Sequence, residues 1–306
     1  MEIINIVLPV FLVIGIGYAL GGMGFLRPET NAALARLVFY VAAPALLLRS
    51  TALTPIYKAV NVPALLLIAG VTAVLAVAVY FAAFRAAPSR RGVLTQGGHR
   101  SNMVFVGLPV IMNAYGDSVL GPAAVLIGFM VVIYNFLAVL VLTLPHKGTS
   151  NVWMKTTVEI FKNPLILGSG AGILLSALSI PLPVSIDRTL EVVGRIAMPL
   201  ALLSVGADLD FRKLGSEAGP AFLVAFIKLI LYPGLVFIGL YWLGITGLDL
   251  RVPVLIMAAP TAVVSYIMAV EMKGDGRLAA AIVIGTTLGS LFTISAWLAF
   301  FEFAVS

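Results

Sequence analysis

Polar side chains set inside apolar stretches are where chemistry is expected in this chain, because a polar group in apolar surroundings needs a partner. Asn135 stands near the middle of VVIYNFLAV. A bare amide is costly to bury there, and its partner is either a bound ligand or backbone left unpaired by a neighbouring break. Arg195 falls about a dozen residues into its apolar stretch, too deep for its stem to carry the charge easily to water, and Glu191 precedes it by one helical turn. The two form a neutralising pair or, alternatively, a place for anion binding or proton coupling. Lys228 is similar but lies nearer the end of its stretch, where the long stem reaches water. His99 and Arg100 sit together just before Asn102; the imidazole reads as a solvated histidine at a loop end, with a proton-linked role as the alternative. Arg36, Arg49, Asp187 and Asp208 fall near the ends of apolar stretches and read as interfacial.

Two stretches position these groups. Residues 97–116 read GGHRSNMVFVGLPVIMNAYG and residues 251–272 read RVPVLIMAAPTAVVSYIMAVEM. Both are long enough to enter a membrane, yet both are interrupted. Proline removes a backbone donor and clashes with the preceding turn, and glycine weakens a helix, so the freed backbone groups need partners that lipid cannot supply. A break near Gly107 and Pro109 starts the outer half of the first stretch in mid-membrane, where unpaired amides make a positive dipole end beside Asn102. That suits a carboxylate. A second break at Ala259, Pro260 and Thr261 reaches the same depth from the opposite face, so two half-helix ends converge. Interrupted segments in corresponding halves of a chain point to a transporter binding site; a pair of kinked structural helices is the alternative. The candidate binding residues are therefore Asn102, Gly107, Pro109, Asn135, Pro260 and Thr261, and the candidate charge or coupling groups are Glu191, Arg195 and Lys228.

Composition carries the rest of the architecture. The chain has 306 residues, 61% hydrophobic and 10% charged, with a mean hydropathy of +1.11, far outside the range of a soluble domain. With ~20 apolar residues needed for each helical span, ten spans are expected, at 3–23, 32–53, 62–84, 92–114, 119–143, 163–180, 184–207, 219–243, 251–272 and 278–303. Loops after the odd-numbered spans hold Arg27, Arg85, Arg90, Arg91, Lys147, Lys155, Lys162, Arg212, Lys213, Lys273 and Arg277, whereas the opposite side has Lys58, Arg188 and Arg251. That bias assigns the first set to the cytoplasm and both termini to the non-cytoplasmic side of the cell membrane. It also explains the net charge of +6 as topology, without a nucleic-acid partner. The N-terminus lacks a basic region, so the first span reads as a retained helix.

The chain repeats itself. Pro9, Gly15, Gly17, Pro28 and Pro44 recur as Pro164, Gly170, Gly172, Pro183 and Pro199, each 155 residues later. Gapless coincidences among punctuating residues indicate a duplication. Each half holds five spans, an odd number, so the second half enters the membrane from the opposite side. The expected fold is an all-α integral membrane protein of ten transmembrane helices in two inverted five-helix repeats, with broken crossover helices four and nine. Residues 1–145 form the first repeat, 146–162 a cytoplasmic connector and 163–306 the second repeat. Within the connector, Trp153, Ile160 and Phe161 suit one face of a short interfacial helix. Gly17 with Gly21, and Gly168 with Gly172, make small faces suited to close helix packing.

Enzymatic signals are missing: there is no HExxH, no GxSxG and no pair of aspartates within the spans. The sequence has no cysteine, which excludes disulfides, thiolate catalysis and cysteine metal sites. No metal and no cofactor is implied.

LARLVFYVAAPALLLRS, RSNMVFVGLP, VIYN, NPLILGSGAGILL, GRIAMPLALLSVGADL and AAPTAVVSYIMAVEM together resemble the auxin efflux carrier family, bacterial organic-acid carriers and plant auxin carriers alike. The likeness runs through nearly the whole chain. It implies a scaffold bundle and a transport bundle, substrate held at the crossover of spans four and nine, elevator-like alternating access, and a homodimer. By the same resemblance Asn102 and Asn135 match the asparagines of spans four and five, and Pro260 matches the span-nine crossover proline. One departure is plain: plant members resemble one another in a charged pair in span three, whereas residues 62–84 contain no Asp, Glu, His, Lys or Arg. The function these features imply is secondary transport of small organic anions, mono- or dicarboxylates. A sodium-coupled carrier like the bile-acid symporters is one alternative, and a membrane sensor or receptor is another of a different class.

Overall fold

The apolar runs fold as helices, and a computed structural model describes residues 3–55, 61–145, 162–210 and 215–303. In chain order its helices are α1 (Ile3–Gly22), α2 (Pro28–Leu37), α3 (Ala43–Ala52), α4 (Val62–Ala82), α5 (Pro88–His99), α6 (Leu108–Tyr115), α7 (Leu120–Thr143), α8 (Pro164–Ala177), α9 (Val184–Arg195), α10 (Ala197–Ala207), α11 (Ala218–Phe226), α12 (Tyr232–Trp242), α13 (Gly247–Ala258), α14 (Val264–Glu271) and α15 (Gly276–Phe303). Of the connector 146–162, all but Lys162 lies outside the described residues, and so does the interfacial helix expected there. Among the described residues seven helical segments are long and apolar enough to cross a membrane, and they coincide with expected spans one, two, three, five, seven, eight and ten. The other three are shorter. Span six is α8, begun by the Asn163 side chain accepting from the Leu165 N–H at 2.9 Å and ended ahead of Pro181 and Pro183, which cannot continue a helix. Spans four and nine are short because each is interrupted.

Among the described residues three widened, π-type turns occur, at Val38–Ala42, Met103–Gly107 and Ile227–Leu231. A proline follows two residues after each, at Pro44, Pro109 and Pro233. The proline ring clashes with the carbonyl four residues back, and a turn widened by one residue moves that carbonyl aside. Proline therefore loosens these helices without breaking them.

The chain divides into two units. The first comprises Met1–Val62, Val104–Val132 and Val158–Leu209. Within it α1 packs along α10, and α8 along α3. Small residues let the backbones touch: Gly17 abuts the Leu203 carbonyl and Gly172 the Leu48 carbonyl. These two contacts are related by the same 155-residue offset as the prolines. So are the meeting of Gly206 with Ile14 and the hydrogen bond from Thr51 Oγ1 to the Ser169 carbonyl at 3.2 Å. Several polar groups in this unit pair internally. Asn31 donates to Asp208 at 2.7 Å, and Arg49 reaches Asp187 at 2.7 Å and Glu191 at 3.4 Å.

The second unit comprises Pro63–Met103, Ile133–Thr157 and Asp210–Ser306. Its apolar core includes Val93, Leu142, Val224, Ala269, Leu278 and Ile282. Outside the spans, Arg90 pairs with Glu217 and, at 3.4 Å, with Asp275. The Glu217 hydrogen bond, with both carboxylates nearby, raises Arg90 above its ordinary value. Asp275 also accepts from the Leu278 N–H at 3.0 Å, capping α15.

Candidate functional site

The centre of the second unit is the place where two helices stop short. α5 ends at His99, and Arg100 turns to extended backbone with φ −84° and ψ 98°. α13 ends at Ala258, and Ala259 is extended with φ −57° and ψ 149°. The two extended pieces pair as an antiparallel bridge between Ser101 and Thr261. The Asn102 N–H donates to the Pro260 carbonyl at 2.7 Å, and the Ala262 N–H to the Arg100 carbonyl at 3.0 Å. Backbone groups that the broken helices leave open are thus satisfied by one another, away from lipid.

Side chains close the remaining valences. Thr261 Oγ1 donates to the Gly97 carbonyl at 2.8 Å, and the Thr261 N–H donates to Thr286 Oγ1 at 3.1 Å. The Met257 carbonyl, stranded in the last turn of α13, accepts from Ser101 Oγ at 3.1 Å and from Lys228 Nζ at 2.6 Å. A cation there also suits the negative end of the helix. Tyr134 and Tyr232 join hydroxyls at 3.0 Å, and Tyr232 meets Thr72 at 2.6 Å.

Arg100 is the principal residue that local sequence reasoning passed over. It is buried; one guanidinium nitrogen donates to Asn135 Oδ1 at 2.8 Å, and another points at the Met268 sulfur at 3.0 Å. Gln96, one turn earlier, also directs its amide at that sulfur, at 3.8 Å. A thioether is a weak acceptor for a buried cation. Among the described residues neither Arg100 nor Lys228 has a carboxylate partner. Gln96 Oε1 and Ser265 Oγ are buried there without hydrogen-bond partners. The signal in the sequence was the polar run His99–Asn102 inside an apolar stretch.

The structure brings Asn102, Asn135, Pro260, Thr261 and Lys228 together in this unit. Gly107 and Pro109 belong to the first unit, and the expected break does not fall at them: Gly107 is helical and Pro109 occupies the first turn of α6, where its missing N–H is not needed. The interruption lies at Arg100–Asn102. Lys228 does not reach water; it is wholly buried, because the Met257 carbonyl holds its ammonium inside. His99 is not solvated either and is wholly buried. Glu191 and Arg195 lie in the first unit and bond to each other, with the Arg195 side chain 75% exposed.

A helical protein with seven segments long and apolar enough to cross a membrane among its described residues, and two interrupted ones tied at a buried basic centre, belongs among polytopic membrane proteins. A family model described as membrane transport protein matches residues 2–154 and 145–298, and the chain belongs to that family, the auxin efflux carriers. It is similar to an uncharacterized transporter of Methanothermobacter thermautotrophicus, 27% identical over 296 residues, 95% of this chain and 96% of that one. It is also similar to a proposed malonate transporter of Rhizobium meliloti, 24% identical over 301 residues, 96% of this chain and 94% of that one.

Proposed function

We propose that the chain is a secondary carrier of small organic anions, with a carboxylate bound at the crossover of spans four and nine. The observation that carries this is the buried basic centre: Arg100 and Lys228 stand at the crossover with amide, carbonyl and sulfur partners but no acid among the described residues. An uncompensated cation in a low-dielectric interior is costly, and an anionic substrate offsets that cost. The carboxylate takes the place of the Met268 sulfur at Arg100, with Asn135 orienting the guanidinium and Asn102 and the backbone at Pro260 and Thr261 lining the crossing. The reciprocal contacts at the 155-residue offset support two inverted five-helix repeats, which suit alternating access by an elevator-like movement. The loop charges support termini on the non-cytoplasmic side.

The test is flux into proteoliposomes for malonate, malate and indole-acetate, with and without sodium and pH gradients. Saturable uptake that falls in Arg100→Gln is expected. No saturable movement of any carboxylate by protein that is folded would overturn the proposal.

A further inference from the structure

Among the buried basic groups of the second unit, His99, Arg100 and Lys228 among the described residues, one is not used by the anion site. His99 is the last residue of α5 and wholly buried. Its Nδ1 meets the Thr95 carbonyl at 2.7 Å. A carbonyl only accepts, so Nδ1 carries the hydrogen, and Nε2 is the ring's remaining site for a proton. Nε2 has no hydrogen-bond partner among the described residues. Around the ring stand the adjacent Arg100, Lys228 from the widened turn before α12, and the Tyr134 ring of α7, 6.1 Å away and bonded to Tyr232. No carboxylate faces it among the described residues.

We infer that His99 Nε2 is a proton-binding site coupled to the substrate anion, an inference that rests on the anion-carrier proposal. A proton from water adds to the Nε2 lone pair; one N–H bond forms and none breaks. The imidazolium so made is a third cation beside Arg100 and Lys228, with no acceptor for its new N–H. Only an arriving anion relieves that repulsion, so anion and proton favour each other's binding. The coupling is reciprocal: whatever factor the anion contributes to proton affinity, the proton contributes to anion affinity. One translocated proton per anion also lowers the net charge moved across the bilayer.

Calorimetric titration of the full chain in detergent with malonate, in two buffers of different ionisation heat between about pH 6.5 and 8, measures the linked protons. Wild type is expected to take up close to one proton per malonate. His99→Gln, whose amide can still donate to Thr95 but does not titrate, is expected to take up none beyond what malonate itself carries, and its affinity is expected to lose the pH dependence particular to wild type. Equal uptake in both proteins overturns the inference and leaves the carrier proposal standing. Failure of wild type to bind any carboxylate overturns both. A second measurement does not depend on that variant folding. The chain has two histidines, so nitrogen NMR of labelled imidazole in His146→Gln reports His99 alone. Nε2 is expected to become protonated when malonate is added; an unchanged Nε2 resonance on saturation overturns the inference.

Discussion

Replacing Arg100 with glutamine separates a ligand from a strut, because the two roles predict opposite changes in stability. In the absence of an anion the guanidinium makes one good hydrogen bond, to Asn135, and one poor contact, to the Met268 sulfur. Losing a hydrogen bond to a charged group costs about 1.5–3 kcal/mol. Removing a buried cation that has no acid beside it returns several kcal/mol, on the order of its desolvation penalty. The substrate-free variant is therefore expected to melt at or above the wild-type temperature. With the anion present the balance reverses. The carboxylate loses at least one charge-assisted hydrogen bond, again about 1.5–3 kcal/mol, so the affinity for malonate falls about 10- to 100-fold. Thermal unfolding in detergent, with and without a malonate series, reads both quantities from one protein. A stable variant that no longer gains stability from malonate supports the ligand role. A variant that melts several degrees lower without ligand, or one that binds malonate as wild type does, refutes the reasoning.

Three further outcomes are expected. Asn102→Ala abolishes carboxylate flux yet leaves the protein folded, since the backbone bond to Pro260 survives; unchanged flux removes Asn102 from the site. Gly17→Ala and Gly172→Ala each lower stability by about 1–3 kcal/mol, because a Cβ would come within 2.9 Å of the Leu203 Cα and 3.0 Å of the Ala52 nitrogen respectively. Gly15→Ala and Gly170→Ala, which meet nothing, are neutral or stabilise by up to about 1 kcal/mol, and equal melting temperatures across the four would show that the close contacts carry no weight. Arg195→Gln leaves flux and stability nearly unchanged, its pair with Glu191 being worth about 0.2–0.5 kcal/mol. Asp187→Asn, which removes the charge and one of the two oxygens that accept from Arg49, costs more, about 1 kcal/mol, and the reverse order in a melting experiment would restore weight to Arg195.

Much of the fold was legible because the forces that set it act locally. Apolar length marked the long spans, and the glycines of α1 and α8 announced the close approach that Leu203 and Leu48 complete. The 155-residue offset was visible in prolines before the paired contacts were. Span nine was legible for the same reason: Pro260 sits in the interruption itself, lending its carbonyl to Asn102. Span four was not, because a proline serves equally well inside a break or in the first turn of a new helix, and Pro109 does the second. What decides between the two is the extended partner that Ser101 finds in Thr261, a residue far away in the chain and beyond the reach of any local pattern.

The same blindness governs the charges. Hydropathy measures how far a side chain stands from the end of an apolar run, so Lys228 and His99, near run ends, read as solvated. Burial is decided instead by what packs over them. Lys228 is drawn inward by a helix end that needs a donor, and His99 by the turn of α5 that stops at the bridge. Both corrections, and the omission of Arg100, fall within one small region, although the errors arose from separate stretches. Three basic side chains gathered with no acid beside them among the described residues is an arrangement that folding alone disfavours. Its presence at the one point where both interrupted segments meet is a local rule broken where function is expected, and on the carrier proposal the compensation it needs is the substrate anion.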